Sequence, residues 1–307
     1  MSLLYGMGGS LSTDGGIFLK LNPEKIAFLV DSCAEMEPRH RKGLPVYVVP
    51  LRIACKDKDY SDGEDIFAKD IYKRLERGEL PKTSLPDMMR VDRTLENIKR
   101  DGYEKVIVLP LSSGLSGTHN MFRLACGERK DLETAVFETY SGAIPIGGFV
   151  LQLWEDIQNG MTWETLVNER VPHLLKNSHA FFSVDTLEYL QKGGRIGKIT
   201  ALAGTVLNIK PILTFAEDGQ LVNVAKVRGR KQVQGKLIEL VKEHVGDHKD
   251  FNLLVANGGA QEEMEQLKKD LMAAIPGCRH IWDSHIDGTL SVYIGSGVLG
   301  AAIQILD

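Results

Sequence analysis

Residues 105–120 read KVIVLPLSSGLSGTHN. The apolar run Val106 to Leu109 passes into a loop holding three serines, two glycines and a threonine. A short β-branched run bounded by proline and glycine predicts a buried strand, and the loop predicts a turn into a helix from about Thr118 to Cys126. Strand, turn and helix in that order make one β/α unit, and the sequence around it repeats the alternation. Upstream, KIAFLVDS and LPVYVVPLRIAC predict strands. EDIFAKDIYKRLERG has helical spacing and stops at Gly78, and TSLPDMMRVDRTLENIKRDG predicts a helix ending at Gly102. Downstream, TAVFETYS predicts a strand and IGGFVLQLWEDIQNG a helix. Such alternation predicts a parallel sheet with helices on its faces.

Beyond about Leu175 the texture changes toward a mixed sheet. AEDGQ, between two apolar runs, signals a hairpin at Asp218-Gly219, and KQVQGKLIELVKEHV and AQEEMEQLKKDLMAAI predict helices. The expectation is an α/β protein of two domains: a leader at 1–24, an N-terminal parallel-sheet domain at 25–178, and a C-terminal mixed-sheet α/β domain at 179–307. The joint is expected near residues 176–182.

The loop admits several chemistries. A phosphate-cradling P-loop needs a lysine next to its last glycine, whereas Gly117 is followed by Thr118 and His119. A hydrolase nucleophile elbow needs G-x-S-x-G, and Gly114-Leu115-Ser116-Gly117-Thr118 lacks the final glycine. A serine hydrolase or acyl transferase with Ser116 as nucleophile stays as the alternative. Backbone N–H groups free at a helix start favour an anion, and Ser116 and Thr118 add uncharged donors. Against these stands the plainer reading that Ser112, Ser113 and Ser116 cap the helix. On the loop alone, capping is favoured.

A second hydroxyl pair, Thr83-Ser84, precedes Pro86, with Asp87 three residues after Ser84. This arrangement predicts a capping box and a second helix start; two readings stay open, that Ser84 caps and Thr83 is incidental, or that two hydroxyl-bearing helix N-termini converge where open α/β sheets bind ligands.

The 307 residues carry a net charge of −4 and 43% hydrophobic residues, so no basic field recruits nucleic acid. Four scattered cysteines without a C-x-x-C pair argue against a disulfide framework or a zinc site. His280, Asp283 and His285 match no common metal spacing. The uncharged run Gly288 to Leu306 is too rich in glycine and hydroxyls for stable membrane insertion. A cytoplasmic protein is expected.

TSLP, SSGLSGTHN, VDTLEYLQKGGRIGK and LNIKPILTFAEDGQLVNVAKVRGRKQ, in this order, resemble the DegV family of fatty-acid-binding proteins. The resemblance runs from Val30-Asp31-Ser32 to the glycine-rich tail. It implies a long-chain fatty acid such as palmitate buried in a tunnel between two domains, no other cofactor, and no catalytic residues. It implies that Thr83 and Ser116 hydrogen-bond the carboxylate, with Ser84, Thr118 and Tyr293 beside them. In some bacteria such proteins present the acyl group to a separate fatty acid kinase, and Arg195 and Arg228 are then expected near the docking surface. Two positions depart from the family: Tyr293 stands where a histidine is usual, and Cys33 where threonine is common.

Overall fold

The computed structural model describes residues 22–199 and 208–307. Of the expected leader, residues 1–21 lie outside that range. Asn22, at the leader's end, is buried; its side chain accepts from the Ile26 N–H and donates to the Ile26 carbonyl, fixing the entry to the first strand.

Thirteen strands, β1 to β13 in chain order, form three sheets among the described residues. The first is parallel, in the order β2-β1-β6-β7: Val46–Val49, Ile26–Asp31, Lys105–Leu109 and Glu133–Val136. β1 and the core of β6 are buried on both faces, which is why they read as continuous apolar runs. The principal helices are α1 (Ala68–Glu76), α2 (Met88–Arg100), α3 (Thr118–Glu128), α4 (Ile144–Gln158), α5 (Glu188–Lys192), α6 (Val233–Val245), α7 (Gln261–Ala274) and α8 (Gly288–Ile294). Helix α4 packs on one face of the parallel sheet through Phe149, Val150 and Leu153, while α2 and α3 cover the other through Val91, Leu95 and Phe122.

The six-stranded sheet has the order β10-β9-β8-β13-β11-β12, antiparallel except for the β11–β12 pair. Helices α6 and α7 bury one face through Leu237, Val241, Met264 and Leu267. The other face, with Leu254, Ala256, Val298 and Ala302, clusters with Ile144 at the start of α4 and with Ile294 of α8. Residues 176–182, expected as a joint, include most of β8 (Ser178–Ser183).

The small sheet β4-β3-β5 (Asp59–Ser61, Arg52–Ala54, Lys82–Ser84) was not expected. LPVYVVPLRIAC is two strands, parted at Pro50, because proline cannot donate to a ladder. Thr83-Ser84 is strand rather than helix: Thr83 pairs with Ile53 and Ser84 with Arg52. Ser84 therefore caps nothing. Asp87 is the N-cap of α2, its Oδ1 accepting from the Met89 N–H at 2.9 Å. The hairpin at Asp218-Gly219 forms as expected, joining β9 (Ile209–Phe215) to β10 (Leu221–Arg228), with Gly219 at φ 73° where L side chains are disfavoured.

Candidate functional site

An apolar cavity lies between the parallel-sheet loops and the six-stranded sheet. Leu111, Leu115 and Ala143 to Pro145 line it from the first side, and Phe182, Phe215 and Ala302 from the second. It offers about 80 Å³ to the centre of a water-sized sphere, well above what one water needs. Apolar walls of this kind stay dry and select an apolar guest. Ala143, on the rim, holds φ 61°, a strained conformation for alanine at the entry to α4.

Of the five residues expected around a carboxylate, Tyr293 alone lines this cavity. Tyr293 lines it from α8, and its hydroxyl meets Thr83 Oγ1 at 2.5 Å across 210 residues of sequence. The ring rests on Gly193, where a Cβ would come within 2.4 Å of it, and the Arg195 guanidinium stacks 5.1 Å from the ring centroid. Arg195 also donates to the Leu115 carbonyl at 3.3 Å and to the Gly193 carbonyl at 2.9 Å. Arg195, expected on a docking surface, thus forms part of the cavity wall. Arg228, at the end of β10, is exposed.

Ser116 precedes Gly117, the N-cap residue of α3. Its Oγ meets the buried Thr118 Oγ1 at 2.8 Å and accepts from the Thr118 N–H at 3.3 Å, so part of the capping reading is realised. Gly117 packs near the Leu85 side chain, bringing the β5 segment against this loop. Thr83 itself sits on a strand, not at a helix start, which corrects the picture of two converging helix N-termini. Ser112 acts elsewhere, donating from Oγ to the Gly219 carbonyl at 2.8 Å and so clamping the loop to the hairpin. Ser84 is exposed in β5.

For nucleophilic catalysis Ser116 needs a base within hydrogen-bond reach. Its hydroxyl pairs with Thr118 instead, and the nearest histidine in sequence, His119, faces Glu138 at 3.7 Å. Among the described residues Cys55, Asp57 and Glu79 lie close enough to share a cation, but the Arg74 guanidinium holds both carboxylates. Asp283 pairs with Lys268 and Arg39, His280 with Glu155 and His285 with Glu37, which accounts for the HIWDSH cluster.

Behind α8 lies a group of acids that no local motif announces. Asp62 accepts from the Gly288 and Thr289 N–H groups and from Ser32 Oγ. Asp287 Oδ1 accepts from the Leu290 N–H, and Glu35 Oε1 from the Asp287 N–H. Burial pushes all three carboxyls up, Glu35 and Asp287 strongly so. Asp31, bonded to the Leu111 and Cys33 N–H groups, is raised by burial to about 6. The helix bearing Tyr293 is therefore anchored on buried carboxyls drawn from three separate segments.

Among the described residues no helix is long and apolar enough to cross a membrane. The sequence matches the family described as "Uncharacterised protein, DegV family" over residues 25–305. A DegV domain-containing protein of Clostridium acetobutylicum is 34% identical over 91% of this chain and 99% of its own length. Among solved structures, a fatty-acid-binding DegV family protein from Thermus thermophilus superposes with a TM-score of 0.85 at 26% identity, covering 92% of this chain and 99% of that one. DegV of Bacillus subtilis, described as a fatty acid binding protein, gives 0.81 at 26% identity over 91% and 99%. Both of these structural relatives are described as binding fatty acids. With the sequence matched over nearly its whole length and the fold shared at this level, the chain belongs to the DegV family.

Proposed function

We propose that this protein binds one long-chain fatty acid in the apolar cavity, between units spanning 25–178 and 179–307, and holds its carboxylate at the Thr83, Ser116 and Tyr293 end. The single observation that carries this reading is a cavity with apolar walls lined by Tyr293, whose hydroxyl meets Thr83 Oγ1. Each methylene buried contributes roughly 0.8 kcal/mol, so a chain of about 14 gives a gross gain near 11 kcal/mol, reduced by ordering of the ligand. Affinity then comes from the chain, and the hydroxyls fix which end faces outward. Ser116 and Thr118 are neutral donors near a helix N-terminus, which suits an ionised carboxylate. Tyr293 supplies an O–H where Thr83 Oγ1 can turn to share it, and Arg195 stacked on the ring adds positive potential without a direct salt bridge.

Extraction of the purified protein followed by mass spectrometry tests the reading: a stoichiometric fatty acid is expected. Ser116→Ala and Thr83→Val should each weaken displacement of a fluorescent fatty acid about tenfold or more, because a hydrogen bond to a charged group is removed. Wild-type affinity in both variants, or stable labelling of Ser116 by a fluorophosphonate, would count for another chemistry.

The finer reading is that the bound acid is presented to a separate fatty acid kinase. Lys198, Lys210 and Arg230 are already paired with Asp218, Asp185 and Glu263, which leaves exposed Arg228, with Lys226 and Lys231 beside it, to meet a partner. Arg228→Glu should lower acyl phosphate formation by a cognate kinase while leaving fatty-acid binding unchanged; unaltered turnover refutes the docking role.

A further inference from the structure

We infer that Leu254, seated against Gly148 and backed by a buried row of amides, is the end stop that sets how long an acyl chain the cavity accepts; this rests on the fatty-acid reading above.

The register of β8, β13 and β11 orders the cavity floor into rows. Phe182, Gly300 and Ala256 are paired across the three strands, and all three line the cavity. Two residues further along, roughly 6–7 Å deeper, the row is Ala180, Ala302 and Leu254. Ala180 and Ala302 still line the cavity; Leu254, paired with Ala302 and buried, does not, so the open space gives out at this row. The Leu254 side chain meets α4 at Gly148, where even a Cβ would come within 2.4 Å of Leu254 Cδ2.

The next row changes character. Ser178, Gln304 and Asn252 are paired there, and Gln304 and Asn252 are fully buried. Asn252 Nδ2 donates to Gln152 Oε1 of α4 at 2.7 Å and to Gln304 Oε1 at 2.9 Å, while Gln152 Nε2 donates to Asp156 at 3.0 Å. Asn252 Oδ1 and Gln304 Nε2 have no partner. A terminal methyl pressed into this row gains nothing and breaks buried hydrogen bonds, so an acyl chain has no favourable path past Leu254. Val298, Gly300 and Ala302 of β13 line the cavity in turn and Gln304 follows them, so one strand carries the rows from open cavity to amides.

The direction of the effect is testable in both senses with the full chain. Leu254→Ala opens space between the alanine row and the amides, whereas Ala302→Val fills the last open row with a residue suited to a strand. Affinities are measured by displacement of a fluorescent fatty acid with saturated acids from laurate to arachidate. Leu254→Ala is expected to move the optimum to chains about two carbons longer, and Ala302→Val to shorter ones, with at least tenfold loss for the longest acid. If Leu254→Ala does not fold, Leu254→Val and Ala302→Val carry the test. Wild-type binding with unchanged length profiles in the variants overturns the end stop alone. A wild-type protein that binds no acid of the series overturns the fatty-acid reading, and the end stop with it.

Discussion

Gly114→Ala should weaken fatty-acid binding at least tenfold and lower the melting temperature, although Gly114 adopts no unusual backbone conformation. A Cβ there would lie 2.4 Å from the Gly219 carbonyl carbon, 2.5 Å from its oxygen and 2.6 Å from the Gln220 nitrogen. All three are backbone atoms, so no rotamer relieves the clash and one segment must move. The segments are the Ser112–Ser116 loop and the tip of the β9–β10 hairpin, which Ser112 also clamps. That hairpin brings Phe215 and Leu221 into the cavity wall, so its displacement opens the cavity. Overpacking of this kind costs about 1–3 kcal/mol. Gly127→Ala is the control: it lies in α3 with nothing within 4 Å and should be neutral or stabilising. Thermal unfolding and displacement assays on the pair decide the matter, and a Gly114→Ala protein that behaves like wild type excludes the interlock.

Asp287→Asn should make the protein more stable above neutral pH, by an amount that grows with pH. Glu35, Asp62 and Asp287 have carboxyls raised by burial, so the folded state binds more protons than the unfolded chain. Stability is then greatest near the ordinary carboxylate range, about pH 4, and falls as pH rises through the raised folded values. Asp31 follows the same sign, losing its contribution by about pH 6. The charges acting most on Glu35 and Asp287 are acidic, Asp62 on both, Glu37 on the first and Glu35 on the second, while Arg41, Lys69 and His285 line the same pocket as the three acids. Two carboxylate oxygens, Glu35 Oε2 and Asp287 Oδ2, are buried without a donor. Asparagine keeps the acceptor for the Leu290 N–H, since it caps helices as well as aspartate does, and its amide supplies the donor those oxygens lack. An unsatisfied buried acceptor costs about 1–3 kcal/mol, which sets the gain expected at alkaline pH. Melting temperatures of the two proteins from pH 5 to about 9 should diverge; parallel curves refute the account.

Much of the frame was legible because it rests on local chemistry. Apolar runs doubly covered by helices show as Ile26–Asp31 and Lys105–Leu109, and helices α1 and α2 stop at Gly78 and Gly102, both at positive φ. Strands of three residues leave no period to detect, so β4 and β5 were hidden and β3 was run together with β2, and with them went the true setting of Thr83. The site was legible only in parts. Ser116 and Thr118 sit in one loop with a readable turn, whereas the Thr83–Tyr293 contact and the Gly114–Gly219 interlock join distant segments with no shared local signal. The acids behind α8 are ordinary polar letters until the fold removes water from around them. The amide row was hidden for a related reason: Asn252 and Gln304 each look like a solvent-facing position in an apolar strand.

The place of β13 has a consequence for how the molecule is made. Residues 298–305 lie between β8 and β11, strands synthesised long before them. Until they emerge from the ribosome, the larger sheet exists as two unjoined halves with bare edges, and the parallel sheet can mature alone. The floor on which the acyl chain is proposed to lie is therefore complete only once β13 has joined β8 to β11. A nascent chain stalled before Val298 would be expected to seek chaperones rather than lipid.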